Sequence, residues 1–277
     1  MEKILVIIDP LKPNGHMLDF ALYIAEKTRS AITALIMETA FSGKLVEKDL
    51  HGFPVAFAEN TTAINRLAIK AGIEETLSGF ERKCVDRHIP FIVHRDYGLP
   101  VEDIMDESRF ADFMLIDAGM EPDKDSEHTP TSFVREILRK SECPVILAPE
   151  HPGEIHEIIF CYDGTSNAMH AIKQFTCLFP QFKDKKLVIL EVTKEGKEDR
   201  QAEKRLKEWV GNHYTHFQHE IKTGTVRQIL FDSVFKKENI FIVMGSFGRS
   251  AMSIVFRKAT AESLIKITTQ PVFIAHT

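Results

Sequence analysis

The 277-residue chain is 44% hydrophobic and 27% charged with a net charge of −5, which suits two soluble cores of ordinary size. No run approaches the roughly 18 consecutive apolar residues of a membrane span, and the start lacks the charged-then-apolar pattern of a secretion signal. Cys84, Cys143, Cys161 and Cys177 form no C-x-x-C pair and no metal-finger spacing, so spectator thiols in a cytoplasmic protein are expected rather than a disulfide or zinc scaffold.

In chain order, β-branched runs predict strands near 3–8, 31–37, 91–95, 113–118 and 145–148, with helical periodicity between them. The stretch from Thr39 to His88 is long. Its portion Ala40 to Asn60 is of mixed composition, with Gly43, Gly52 and Pro54. This insertion, about 39–60, reads either as a lid or partner-contacting arm or as a tolerated surface addition. From Thr61, the spacing of Ile64, Leu67, Ala68, Ala71, Ile73 and Leu77 predicts a long amphipathic helix. Pro149-Glu150-His151-Pro152-Gly153 has the composition of a linker. Beyond it, strands are predicted near 157–162, 186–192, 217–222, 240–244 and 272–275, and helices near 167–179, 199–210, 226–236 and 259–267.

The second series repeats the first. Ile4 to Asp9, an apolar run closed by aspartate, is answered by Glu157 to Asp163; Phe113 to Asp117 by Phe241 to Gly245; and Cys143-Pro144-Val145 by Gln270-Pro271-Val272. Three landmarks in the same order indicate a duplication. The expectation is an α/β fold of two domains, 1–150 and 151–277, each a five-stranded parallel sheet with helices on both faces. Charge is divided unequally. Residues 1–150 hold 17 Lys+Arg against 26 Asp+Glu, while residues 151–277 hold 18 against 14, so an anionic ligand meets the friendlier field in the second half.

Parallel sheets of this type bind ligands at the carboxyl ends of their strands, which singles out Asp9 and Asp117 in the first half and Asp163 and Gly245 in the second. Met244-Gly245-Ser246-Phe247-Gly248-Arg249-Ser250 places two glycines where a strand becomes a loop. Such a loop either converges its backbone N–H groups on an anion or serves as an ordinary turn. A helix near Thr260 to Ile267 would add its positive N-terminal end.

Taken together, Asp163-Gly164-Thr165-Ser166, the Gly224 turn, Met244-Gly245-x-x-Gly248 and Pro271-Val272 resemble the universal stress protein family. Gly98 to Ile104 of the first half is similar to the family's segment after strand three. The resemblance spans nearly the whole chain as a tandem pair and implies Rossmann-like (adenine nucleotide alpha hydrolase-like) domains. In ATP-binding members the glycine loop continues, nine residues on, into Gly followed by Ser or Thr; here that position reads Lys258-Ala259. Lys258 either supplies a point charge to the phosphates or fills their pocket, and Thr260 offers a hydroxyl one position later. By the same resemblance Asp163 corresponds to an acid near adenine and ribose, Val192 to a backbone contact to the base, and Met244 to its flank. The implied nucleotide-contacting set is therefore Asp163, Val192, Met244, Gly245, Gly248, Arg249, Ser250, Lys258 and Thr260.

The first half departs further, with five acids and a single lysine between Asp117 and Glu127, a run that repels phosphate. The resemblance also implies that the last strands, Val145 to Ala148 and Val272 to Ala275, pair within one chain, relating the two domains by a pseudo-twofold as a pseudo-dimer, with a homodimer of chains also compatible. Function is expected to be stress-response binding or regulation, with ATP or a related adenine nucleotide in the second half; the alternative is a nucleotide-free scaffold for a protein partner. Slow ATP hydrolysis is the most catalysis implied, with no catalytic residue to name.

Other chemistry is weaker. His213, His216 and His219 are spaced like ligands, but a strand there sends His216 and His219 to opposite faces, so no metal is expected. Lys183, Lys185 and Lys186, and Lys204, Arg205 and Lys207, read as solvated faces rather than a nucleic-acid footprint. Hydrolase, metalloprotease, Walker and dinucleotide motifs are absent from the sequence.

Overall fold

The structure, a computed structural model, describes residues 2–10, 12–38, 46–48, 54–56, 63–96, 98–121, 130–151, 153–193, 200–234, 237–245 and 269–275. The first half runs β1 (Lys3–Ile8), α1 (Gly15–Thr28), β2 (Ala31–Ile36), β3 (Val46–Lys48), β4 (Pro54–Ala56), α2 (Ala63–Asp86), β5 (Phe91–Arg95), α3 (Pro100–Ser108), β6 (Phe113–Ile116), α4 (Ser132–Lys140) and β7 (Val145–Leu147). The second runs β8 (Glu157–Tyr162), α5 (Ser166–Leu178), a 3-10 turn (Pro180–Phe182), β9 (Lys186–Thr193), α6 (Arg200–Gly211), β10 (Phe217–Thr223), α7 (Val226–Val234), β11 (Ile240–Gly245) and β12 (Val272–Ala275). The ten main strands lie where their apolar runs predict them. The helix expected near 259–267 lies outside the described residues.

One ten-stranded sheet carries the molecule, in the order β10-β9-β8-β11-β12-β7-β6-β1-β2-β5. Its left and right five-strand halves have the same internal order, and every neighbouring pair within a half is parallel. The halves meet where β12 runs antiparallel to β7, with Phe273 opposite Ile146 and Val272 opposite Leu147. That junction covers one edge of each half, leaving β5 and β10 as the outer strands. Both outer strands place charged or polar groups on the sheet surface, His94 and Arg95 on one and Glu220 and Lys222 on the other. A two-stranded antiparallel ribbon, β3 with β4, stands apart inside the 39–60 insertion; the mixed composition there gave no strand signal.

Strand alternation divides the core into two layers. Ile4, Val6 and Ile8 belong to the layer that also holds buried residues of α1, α2, α5 and α6, whereas Leu5 and Ile7 belong to the layer with those of α3, α4 and α7. On α2 the buried stripe is Ile73, Leu77, Phe80 and Cys84, a four-three-four spacing that keeps one face inward; Ala71, expected on that face, is exposed. The first layer is continuous across the junction. Phe113 of the first half lies 5.2 Å from Phe179 of the second, and Phe20 lies 6.2 Å from Phe241. Phe175 and Phe273 extend the same cluster at ring distances of 4.9–5.4 Å. Among the described residues, no helix is long and apolar enough to cross a membrane.

Candidate functional site

The second half turns its strand order at β8. From β8 the chain moves outward to β9 and β10, then returns to the other side for β11 and β12, so the carboxyl ends of β8 and β11 border the crevice where ligands lodge in such sheets. Register sets Tyr162 level with Glu191 and Cys161 level with Met244. Asp163 and Val192 therefore emerge at one edge, with Gly245 closing the adjacent strand. Four of the nine expected contact residues thus share this edge; Gly248, Arg249, Ser250, Lys258 and Thr260 lie outside the described residues.

Asp163 is held by its own turn. Its Oδ1 accepts from Thr165 N at 3.0 Å and from Thr165 Oγ1 at 2.6 Å, an arrangement aspartate favours because its short side chain reaches the backbone two residues on. Gly164 sits between them at φ +80°, a left-handed conformation that glycine adopts without a Cβ penalty. Thr165 then caps α5, its Oγ1 accepting from Ala168 N at 3.2 Å. No acidic residue occupies the first turn of α5 itself, and the carboxylate at its N-terminal end is that of Asp163 in the preceding turn.

Gly245 has a packing reason beyond any phosphate role. A Cβ there would lie 2.7 Å from both Ala168 N and Asn167 C, closer than non-bonded atoms tolerate, so only glycine lets the first turn of α5 rest on the end of β11. Met244 is 1% exposed and joins Cys161 and Ile274 in the core layer beneath α7. Val192 is half-buried at the end of β9.

The corresponding edge of the first half is built differently. Asp117 stands where the second half has Gly245. Its Oδ2 accepts from Asn14 Nδ2 at 2.6 Å, and its Oδ1 accepts from Gly119 N at 2.8 Å. Asn14 is the N-cap of α1, its Oδ1 accepting from Met17 N at 3.1 Å. A side-chain bridge therefore spans the crevice between the ends of β1 and β6. Asp9, 8% exposed, accepts from Lys12 N at 3.0 Å. Nearby, Arg95 pairs with Glu38 at 2.6 Å and Glu74 at 2.9 Å. Burial raises the Glu38 pKa, Arg95 opposes that rise, and Asp96 and Glu74 add to it. The edge is crowded with negative charge, and the acidic stretch 122–129 lies outside the described residues.

The three spaced histidines separate. His213 stacks on Trp209 with ring centroids 4.0 Å apart, His216 is exposed, and His219, its side chain 3% exposed, places Nε2 2.8 Å from Glu191 Oε2. Among the described residues, no group of three or more His, Cys, Asp or Glu side chains could hold a metal. Lys185 and Lys186 pair with Glu154 and Glu157, and Lys207 pairs with Glu203. Sequence reasoning missed Thr165, Asn14 and the Asn167–Ala168 backbone. Asp-Gly-Thr-Ser is a legible signal for the first, as an aspartate turn running into a helix cap; the other two depend on contacts between distant segments.

No family model and no curated protein matches the chain. Solved structures do. A universal stress protein from Archaeoglobus fulgidus DSM 4304 is similar over 99% of this chain and 96% of its own, with a TM-score of 0.69 at 18% identity. A functionally unknown protein from Pseudomonas aeruginosa PAO1 matches over 100% of this chain and 92% of its own, with a TM-score of 0.62 at 14% identity. A protein from Pseudomonas aeruginosa UCBPP-PA14 that carries the universal stress protein name matches over 100% and 93%, with a TM-score of 0.62 at 15% identity. At these identities the likeness establishes the fold: a Rossmann-like α/β architecture shared with universal stress protein structures.

Proposed function

We propose that this chain is a tandem universal stress protein, two copies of one domain design at 1–150 and 151–277, and that it binds or regulates rather than catalyses. In this reading an adenine nucleotide occupies the carboxyl edge of the second half. Asp163 and Val192 lie toward the base and ribose, with Met244 buried beneath the strand end rather than touching the base; Gly245, Gly248, Arg249, Ser250, Lys258 and Thr260 follow the phosphates. The observation that carries it is the contrast between the two edges. In the second half the crevice is bordered by Gly245 and the capped start of α5, where backbone N–H groups and helix dipole favour an anion. In the first half the same crevice is spanned by Asn14 and Asp117 and lined by acids. Only one nucleotide per chain is therefore expected.

A nucleotide-free scaffold is the second reading, favoured by Lys258-Ala259 in place of a small pair and by the internal engagement of Asp163 with Thr165. Mass spectrometry of denatured protein, followed by calorimetric titration with ATP, separates the two. The first reading requires bound or titratable nucleotide at a stoichiometry of one, weakened by Asp163→Ala and untouched by Asp9→Ala. Absence of both carried nucleotide and titration heat at millimolar ATP leaves the scaffold.

A further inference from the structure

The sheet face beneath α7 carries a cavity of about 220 Å³. Its floor is Ile159 of β8 with Val188 and Leu190 of β9, side chains 1–3% exposed. Strand period explains their convergence. Ile159 pairs with Val188 and Cys161 with Leu190, so these aliphatic groups project to one face. On β10, Glu220 pairs with Leu190 and Lys222 with Val192, placing both polar side chains over that face. Asp232 and Ser233 of α7, with Lys237, complete the rim.

Charge on the rim is balanced and organised. Lys222 Nζ donates to Ser233 Oγ at 3.1 Å and lies 3.2 Å from Glu220 Oε2, which engages two of an ammonium's three donors. Asp232 Oδ1 accepts from Gln228 Nε2 at 2.9 Å, leaving lone pairs on that carboxylate for another donor. Lys237 bonds Glu157, which also holds Lys186 at 2.9 Å. Two ammoniums and two carboxylates therefore surround an apolar floor. A simple anion would meet Glu220 and Asp232, a simple cation would meet Lys222 and Lys237, and an uncharged hydrocarbon would desolvate all four without replacing their hydrogen bonds. The volume is below the roughly 300 Å³ at which sites for drug-sized ligands begin.

We propose that this cavity binds a small zwitterion with an aliphatic tail, of the class of free branched-chain amino acids. The ligand carboxylate takes the third donor of Lys222 and the Ser233 hydroxyl, its ammonium lies toward Glu220 and Asp232, and its tail rests on Ile159, Val188 and Leu190. The site borders the nucleotide edge, since Lys222 pairs with Val192, but shares none of the residues assigned to the nucleotide.

The test is NMR titration of the methyl groups of the full chain with L-leucine, L-leucinamide and 4-methylpentanoate, which separate the two charges. L-leucine should shift the Ile159, Val188 and Leu190 resonances with a Kd on the order of 1 mM or tighter, and each analogue lacking one charge should bind about tenfold more weakly. Lys222→Met, which keeps an unbranched stem, should weaken leucine about tenfold. Asp232→Asn should reduce leucine toward the level of 4-methylpentanoate, and it supplies the comparison if Lys222→Met fails to fold. No shift with leucine, equal binding by 4-methylpentanoate, or a folded variant that binds as the parent does overturns the proposal.

Discussion

Asn14 and Asp117, 103 residues apart in sequence, share a 2.6 Å hydrogen bond that closes the edge of the first half. Asn14 does two things at once, since its Oδ1 also caps α1. Thr165 caps α5 in the equivalent place but bonds back only to its neighbour Asp163. Removing Asn14 therefore loses a cap and a charged bridge, while removing Thr165 loses a cap and a local turn bond. Asn14→Ala should cost about 2–3 kcal/mol and Thr165→Ala about 1 kcal/mol. Urea midpoints of the two variants give the comparison; equal losses would mean that the long-range bridge adds nothing.

Gly245 and Gly164 are glycines for different reasons, and alanine should separate them. At Gly245 the added Cβ meets backbone at 2.7 Å, so α5 must move off β11 at a cost of about 1–3 kcal/mol. At Gly164 nothing lies within 4 Å of the added Cβ, but φ is +80°, which costs about 1–2 kcal/mol in the left-handed region. Thermal unfolding should rank Gly245→Ala below the parent, and hydrogen exchange should show Ala168 less protected in that variant alone. Unchanged exchange at Ala168 would refute the close packing of helix on strand.

Alkali should destabilise the fold. Burial pushes the Cys161 thiol up to about 12, with Asp163 adding to the effect. Burial takes Cys143 and Cys84 to about 11 and Tyr214 to about 12, partly opposed by the hydrogen bonds that join Cys143 with Ser141 and Tyr214 with Thr176. Unfolded cysteine and tyrosine ionise near 8.5 and 10, so above those values the unfolded chain holds fewer protons than the folded one. Stability is then complete below about pH 8.5 and falls as pH rises toward 12. Denaturation midpoints from pH 8 to 11 should decline steadily. A thiol reagent at pH 8 should modify exposed Cys177 quickly and the buried Cys84, Cys143 and Cys161 only after unfolding.

The aromatic layer joins the halves, so they should unfold together. Phe179 contacts Phe113 across the junction and Phe241 and Phe273 on its own side. Phe179→Ala should cost about 3–5 kcal/mol and lower both halves in one step. The single tryptophan, Trp209 of α6, reports the second half by fluorescence, and labelling of Cys84 on α2 reports the first. Coincident transitions are expected; a second half that melts while Cys84 stays protected would show the halves to be independent.

Much of this protein is legible in its residues. The apolar runs from Ile4 and Ile158 announce strands covered on both faces, because a strand buried on both sides has no polar face to alternate. The matched Asp9 and Asp163, and the matched Pro144-Val145 and Pro271-Val272, stand at corresponding strand ends, after β1 and β8 and at the start of β7 and β12. Even the capped turn at Asp163-Gly164-Thr165 is local chemistry that a reader of the sequence can work out.

What the chain alone does not disclose lies between residues far apart in sequence. Gly245 reads as a loop glycine until α5 is seen resting on it, and Asp117 reads as one acid among several until Asn14 is found bonded to it. The cavity over Val188 exists only because β8, β9, β10 and α7 converge there. Period, turn chemistry and capping act within a few residues and so are written in the sequence. Close approach, cross-crevice bonding and enclosed volume depend on how distant segments are brought together, and only the tertiary structure decides them.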